Sequence, residues 1–336
     1  MSGHKIAYHL RTNKYVERKM FLDVLSRVRI WSDSSNYFYA SLGGQFLEDF
    51  KHVNSHLGID KMCSLETDES TWKRQKFNLP FGFLNCTDDS TGEFVKNFDA
   101  KVGNYRDCKF IVWLDYANAN ERHRQLQEFS ELVSKMGPGD VAKITLNANH
   151  ASKARRSDFS TRKHHEGFLL NELSNDLGEF TPSGGILSKF LSPEPYAKFL
   201  ADAVRIAAVK GCESATDIQA KPLQVCRYKD GEHQMLTVSL IIANDNISKA
   251  LEADTVFKQS GIRSFVWDQI HYVSVPDLSW RERTYINSKI GDESVSDIHD
   301  SFGFLFADNR EDSLALIKSY VNHYRRYPGF TPMPSI

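Results

Sequence analysis

Four apolar runs of the sequence end on glycines or acidic residues, which are residue types that bind ligands at strand ends. Gly43-Gly44 follow the run YFYASL, and Glu66 follows MCSL. Asp88 comes directly after FLNCT, and Asp115-Tyr116 come directly after FIVWL. In an open parallel sheet, ligands bind outside the carboxyl ends of the strands. If the four runs are neighbouring strands, their ends therefore form one binding crevice.

The chemistry of these residues suits a nucleotide-like ligand. Two glycines between a strand and a helix let backbone N–H groups approach a ligand and direct the helix N-terminus towards it. The Glu66 carboxylate can accept hydrogen bonds from both hydroxyls of a ribose. Asp88 can accept one from an adenine amino group. Asp115 ends a buried run, so its carboxylate must either face a ligand or be capped.

Local structure offers a second interpretation of three of these segments. The glycine pair is about as typical of a tight turn as of a ligand loop. Glu66 could belong with Asp68 and Glu69 to a solvated acidic turn that caps the next helix. Asp88 could take part in an Asx-turn or a helix N-cap together with Ser90. The sequence leaves both interpretations open for Glu66 and Asp88.

Hydrophobic periodicity supplies the elements that must position these residues. Apolar residues at helical spacing predict helices over 15–30, 45–58, 121–136, 196–210 and 312–326. The helices alternate with short apolar strands, which predicts βαβ units. A hairpin is predicted within 223–244, turning at Asp230-Gly231, and a further strand is predicted near 264–267. The expected fold is α/β and Rossmann-like, with a mainly parallel sheet, flanking helices and a C-terminal accessory subdomain.

The same order of elements suggests three parts of the chain. Residues 1–35 are expected to form an N-terminal helical lid and 36–150 the α/β core. Residues 151–336 are expected to contain a basic loop, the completion of the sheet and the accessory subdomain.

From Tyr37 to Asn149 the sequence resembles the class I S-adenosylmethionine-dependent methyltransferases, of the bacterial O-methyltransferase type. That family has a glycine-rich motif, a ribose-side motif, an adenine-side motif and a fourth motif, which are resembled in this order by YFYASLGG, MCSLETD, FLNCTDD and WLDY. The passage into the family's fifth strand is resembled by LVSKMGPGDVAKITL. The resemblance implies S-adenosylmethionine as cofactor, bound by Gly43, Gly44, Glu66 and Asp88. It implies methyl transfer to an unidentified acceptor, with Asp115 and Tyr116 as the catalytic pair.

The first motif departs from the family pattern and supports an alternative function. Ser41 stands where the family has an acidic residue, and two glycines stand for the usual three. The alternative is a non-catalytic or repurposed methyltransferase-like module. Such a module would bind a nucleotide or a partner protein in a bacterial multi-component system.

A basic segment at 151–167 follows the last strand of this region and is expected to be a loop. Its cations, among them Lys153, Arg155 and Arg156, could grip phosphates of a nucleic acid, although a solvated loop is the commoner origin of such a run. His164-His165 lack further ligands at a suitable spacing, so no metal site is expected.

Composition limits the other classes of function. The net charge of −1 gives no general attraction to nucleic acid or lipid. Five widely spaced cysteines, without a CxxC pair, predict a reducing compartment rather than disulfides or zinc. A polar, basic beginning and no long apolar run predict a cytoplasmic protein without a signal peptide or membrane helix.

Overall fold

The computed structural model describes residues 11–149, 156–183 and 192–329. In these ranges the helices are α1 (Thr12–Trp31), α2 (Glu48–Leu57), α3 (Glu69–Phe77), α4 (Thr91–Lys96), α5 (Phe98–Lys101), α6 (Arg122–Ser134), α7 (Arg162–Leu177), α8 (Pro193–Cys212), α9 (Asp245–Ala253), α10 (Thr255–Gln259), α11 (Trp280–Asn287), α12 (Val295–Asp300) and α13 (Arg310–His323). The strands are β1 (Tyr37–Leu42), β2 (Lys61–Leu65), β3 (Leu84–Thr87), β4 (Lys109–Asp115), β5 (Val141–Asn147), β6 (Gln219–Asp230), β7 (His233–Ala243) and β8 (His271–Val273).

The strands form one mainly parallel sheet in the order β3-β2-β1-β4-β5-β7-β6-β8. Strands β1 to β5 pair in parallel with their neighbours, whereas β7 pairs antiparallel with β5. The chain runs outward from β1 to β3 and then returns to β4 on the other side of β1. This reversal between β1 and β4 is the switch point at which open α/β sheets bind ligands. The predicted fold class and the hairpin at Asp230-Gly231 are confirmed.

Helices cover both faces of the parallel part of the sheet, so nearly every side chain of its central strands is buried. On one face, Leu114 and Tyr116 belong to a continuous apolar core with residues of α6 and α8. On the other face, the Trp113 ring contacts Phe21 of α1, with 5.7 Å between ring centroids. Since side chains alternate along a strand, Asp115 lies on the same face as Trp113.

The chain divides into two compact units, and the described residues of the larger one are 21–149, 156–183, 192–227 and 233–271. It contains β1 to β5 and the helices between them. Among the described residues, the smaller unit consists of 11–20, 228–232 and 272–329. Within it, Arg18 of α1 donates to the Tyr228 hydroxyl, and His299 of α12 bonds Ser313 of α13 at 2.8 Å. The expected roles of lid, core and accessory subdomain stay predictions.

Two local expectations were wrong. Residues 162–167 of the segment expected to be a loop form the first turns of α7, which extends to Leu177. The Thr161 side chain caps this helix by accepting from the His164 N–H, and Leu173 and Leu177 anchor its far end in the core. A strand expected near 264–267 is absent, because the chain turns there and β8 begins at His271. Lys153 and Arg155 lie outside the described residues.

The five cysteines are all buried, and none of them forms a disulfide bond. Burial raises the pKa of Cys63 and of Cys86 to about 11, so both thiols stay protonated and unreactive at neutral pH. Across the described ranges, no helix is long and apolar enough to cross a membrane. The same ranges contain no group of three or more side chains arranged to hold a metal ion.

Candidate functional site

The register of the sheet brings the four predicted segments to one edge. Leu42 pairs with Leu65, and Leu65 pairs with Thr87, so Gly43, Glu66 and Asp88 each lie one step beyond the last pair. On the other side of β1, Ser41 pairs with Trp113, which places Asp115 level with Gly43. The four predicted positions therefore form a row across β3, β2, β1 and β4, with strands about 4.8 Å apart.

The two glycines after β1 have different surroundings. The Gly43 N–H donates to the Ser64 hydroxyl at 3.2 Å, so this donor is used within the fold. Gly44 has a φ of +51°, and a Cβ built there would meet no atom within 4 Å. Helix α2 begins only at Glu48, after Leu47 in a left-handed conformation. Gly44, rather than Gly43, provides the open approach to the backbone.

Side chains from β2 and α3 brace this loop. The Ser64 hydroxyl donates to Gln75 at 3.1 Å, and the Gln75 amide donates to the Gly44 carbonyl at 2.9 Å. Asn78 donates to the Gln45 carbonyl at 2.8 Å. Gln75 is fully buried, which is unusual for an amide side chain unless it is fully hydrogen-bonded. No pattern in the sequence predicts this brace, because its residues are polar and far apart along the chain.

At the end of β2, the structure separates Glu66 from the acidic turn that follows it. Asp68 caps α3 by accepting from the Thr71 N–H at 2.8 Å, and Glu69 pairs with Lys73 at 2.6 Å. Glu66 is half-buried, and its carboxylate accepts from the Asp68 N–H at 3.0 Å. The capping role therefore belongs to Asp68, and Glu66 lies at the edge of the sheet.

At the end of β3, Asp88 does not cap the next helix. Ser90 is the N-cap of α4, in a capping box with Glu93, and this contact lowers the pKa of the Glu93 carboxyl. Asp89 pairs with Lys101 at 2.7 Å. Asp88 itself is exposed at the crevice edge.

At the end of β4, the structure separates the two residues of the predicted catalytic pair. Asp115 is half-buried at the edge, on the Trp113 face. Tyr116 lies on the opposite face, buried in the core, where its hydroxyl donates to Glu128 at 2.5 Å. Burial is the main cause that raises the pKa of Tyr116 well above its usual value, and the neighbouring Glu128 carboxylate adds to it. Tyr116 is therefore a neutral donor inside the core, while Asp115 faces the edge.

The end of β5 adds residues that the sequence did not single out. The Asn147 and Asn149 amide groups both lie 3.4 Å from Nδ1 of His233, at the start of β7. The oxygens of both amides accept from backbone N–H groups, so their NH₂ groups face the ring. His233 is exposed, so its ring lies at the solvent-facing part of the crevice beyond β5.

The residues at this edge fit the cofactor that the sequence resemblance implies. Ser41 lies two positions before Gly43 and is buried. Its hydroxyl has no hydrogen-bond partner among the described residues. Gly44 leaves open space, and Glu66, Asp88 and Asp115 supply carboxylate acceptors. Hydroxyls, an amino group and a positive charge are the complement of such a set.

An α/β sheet with acidic residues in one row at its switch point defines a protein of the nucleotide-cofactor-binding class. A family model described as "Putative O-methyltransferase" matches residues 6–334, and the chain belongs to this family. Membership confirms the predicted methyltransferase class, and with it S-adenosylmethionine-dependent methyl transfer and S-adenosylmethionine as the cofactor.

Similar solved structures share little sequence with this chain. One is an O-methyltransferase family protein from Burkholderia thailandensis, with 14% identity over 68% of this chain and 60% of that one and a TM-score of 0.32. Another is the N-methyltransferase NodS from Bradyrhizobium japonicum, with 7% identity over 65% and 94% and a TM-score of 0.33. A third is a 16S rRNA (adenine(1408)-N(1))-methyltransferase from Catenulisporales acidiphilia, with 11% identity over 67% and 92% and a TM-score of 0.35. No curated protein matches the chain.

Proposed function

We propose that the row of strand ends holds S-adenosylmethionine and that the chain methylates an oxygen of its acceptor. The observation that carries this proposal is the shared register of Gly43, Glu66, Asp88 and Asp115. Four separate segments of the chain supply these residues, and the sheet places them in one row. The family description supports an oxygen acceptor.

Each residue of the row has a distinct task in this proposal. Glu66 accepts from the ribose hydroxyls, and Asp88 accepts from the adenine amino group. Gly44 leaves room for the ligand beside the β1 loop, and the Ser41 hydroxyl donates to it. When bound, S-adenosylmethionine supplies an electrophilic methyl group.

Asp115 is the residue proposed to act on the acceptor. Its carboxylate orients the acceptor hydroxyl and takes the proton that the oxygen loses as it gains the methyl group; the proton then passes to solvent. Holding the acceptor in line is worth more than the proton transfer, because a well-oriented reaction avoids much of the entropic barrier. Tyr116 acts from the core by fixing the position of Asp115.

Calorimetry with S-adenosylhomocysteine, the product form of the cofactor, tests the proposal without knowledge of the acceptor. Micromolar binding to the parent protein is expected. Glu66→Gln should weaken binding roughly 10- to 100-fold, because a hydrogen bond to a charged group is worth about 1.5–3 kcal/mol. Glu69→Gln is the matched control, three residues further on and paired with Lys73, and should bind like the parent.

The alternative, a non-catalytic module, rests on Ser41 in place of the acid of the first motif. No binding of S-adenosylhomocysteine at millimolar concentration would favour this module and reject the proposal. Equal weakening by Glu66→Gln and Glu69→Gln would show that the ribose lies elsewhere.

A further inference from the structure

Glu128 of α6 accepts a set of hydrogen bonds that the proposed chemistry does not use directly. Glu128 is only 8% exposed. Its Oε2 accepts from the Tyr116 hydroxyl at 2.5 Å and from the Thr91 hydroxyl at 2.7 Å. Its Oε1 accepts from Arg124 at 2.6 Å. A buried carboxylate with three donors is well satisfied and geometrically fixed.

The two hydroxyls come from the segments that follow β4 and β3, which form the two walls of the crevice. Tyr116 follows Asp115 at the end of β4, and Thr91 begins α4, three residues after Asp88. The first turn of α4 also fits closely around the carboxylate, since a Cβ at Gly92 would lie 3.0 Å from Glu128 Oε1.

The sheet alone does not fix the distance between these walls tightly. Strands β2 and β1 lie between β3 and β4, so the two ends are three strand spacings apart, about 14 Å. Small changes in twist accumulate over such a span. Glu128 connects the two ends by a second route, through α6 and two hydrogen bonds to one oxygen.

We propose that Glu128 is a positioning residue that sets the span between Asp88 and Asp115 and so the affinity for the cofactor. The inference rests on the proposed function, because Asp88 and Asp115 are its proposed cofactor-side and acceptor-side groups. Thr91 and Tyr116 act through the shared oxygen, so the loss of either one releases one wall from the other.

Calorimetry with S-adenosylhomocysteine tests the clamp formed by Thr91, Tyr116 and Glu128. Tyr116→Phe and Thr91→Val should each weaken binding about three- to tenfold, which corresponds to the loss of one hydrogen bond. The loss of affinity in the double variant should be smaller than the product of the two single fold-losses, because both hydroxyls act through one carboxylate. The matched control is Tyr37→Phe, which removes a buried tyrosine hydroxyl bonded to Ser32 at the opposite edge of the same sheet. It should lower the melting temperature without changing affinity.

Hydrogen exchange of the ligand-free protein separates the clamp from the proposed function. Tyr116→Phe should speed exchange at 89–94, and Thr91→Val should speed it at 115–118, each in the wall that was not mutated. If the parent protein fails to bind the ligand but exchange is coupled in this way, the proposed function is wrong and the clamp stands as a structural device. Exchange that changes only near each mutation, or affinities that match those of Tyr37→Phe, would overturn the clamp.

Discussion

At the residue scale, Gly43 and Gly44 are adjacent but are required for different reasons. A Cβ at Gly43 would lie 2.5 Å from both Leu47 Cδ2 and Ser64 Oγ, so packing excludes a side chain there. Gly44 meets nothing, but its φ of +51° is a conformation that other residues adopt only with strain. One glycine serves the fold, and the other keeps the crevice open.

This difference predicts the stability of two alanine variants. Gly43→Ala should lower the free energy of unfolding by about 1–3 kcal/mol through overpacking and loss of the bond to Ser64. Gly44→Ala should cost about 1–2 kcal/mol of backbone strain alone, and it should also weaken S-adenosylhomocysteine binding. Denaturant titration and calorimetry measure the two effects. Full ligand affinity in Gly44→Ala would place the cofactor away from this loop.

At the element scale, α6 organises the crevice from behind the sheet. Its Arg122 is fully buried and donates to the carbonyl oxygens of Asn147, at 2.8 Å, and of Asn149, while its Nη1 bonds Asp176 of α7 at 2.6 Å. Its guanidinium also lies over the Tyr196 ring of α8. One arginine therefore connects α6, α7 and α8 to the end of β5.

Removal of this cation should be strongly destabilising. Arg122→Met leaves two carbonyls and the Asp176 carboxylate without their donor, at a cost of about 3–5 kcal/mol. Arg162→Met is the matched control, since Arg162 also begins a helix but forms an exposed pair with Glu166, worth at most about 1 kcal/mol. Chemical unfolding followed by tryptophan fluorescence compares them. Similar losses in both variants would contradict this account of Arg122.

At the scale of the whole sheet, the two edges have opposite character. The edge at the carboxyl ends presents half-buried or exposed carboxylates, whereas the other edge buries Asp140 in a turn. Asp140 is 4% exposed and accepts from the N–H groups of Phe110 and Gly137 at 2.8 and 2.7 Å. Burial raises the pKa of its carboxyl to about 6, although these N–H groups oppose the shift.

The raised pKa of Asp140 predicts a specific pH dependence of stability. Between about pH 4 and pH 6 the folded protein retains a proton that the unfolded chain releases, so stability falls as the pH rises through this window. The contribution is on the order of 3 kcal/mol, from a shift of about two pKa units. Asp140→Asn should remove it, so the stability of the parent relative to the variant should decline from pH 4 to pH 6. A constant difference across this range would mean that Asp140 titrates normally.

The parts of the fold that could be predicted are those that depend on local sequence patterns. The helices, the parallel strands and the hairpin at Asp230-Gly231 follow from hydrophobic periodicity and turn residues, which act within a few positions of the chain. The expected loop at 151–167 was partly wrong, because the apolar residues that anchor α7, Leu173 and Leu177, come after the basic run. Periodicity within that run alone could not reveal them.

The sequence by itself determined the α/β class and the four strand ends that carry Gly43, Glu66, Asp88 and Asp115, since each is local to its own strand. Only the tertiary structure decided which alternatives hold: Asp68 and Ser90 cap the helices, and Tyr116 turns into the core. It also revealed the Ser64–Gln75 brace and the Glu128 clamp. These contacts join residues that are distant in sequence, and the register and face of each strand, fixed by packing, determine which side chains meet.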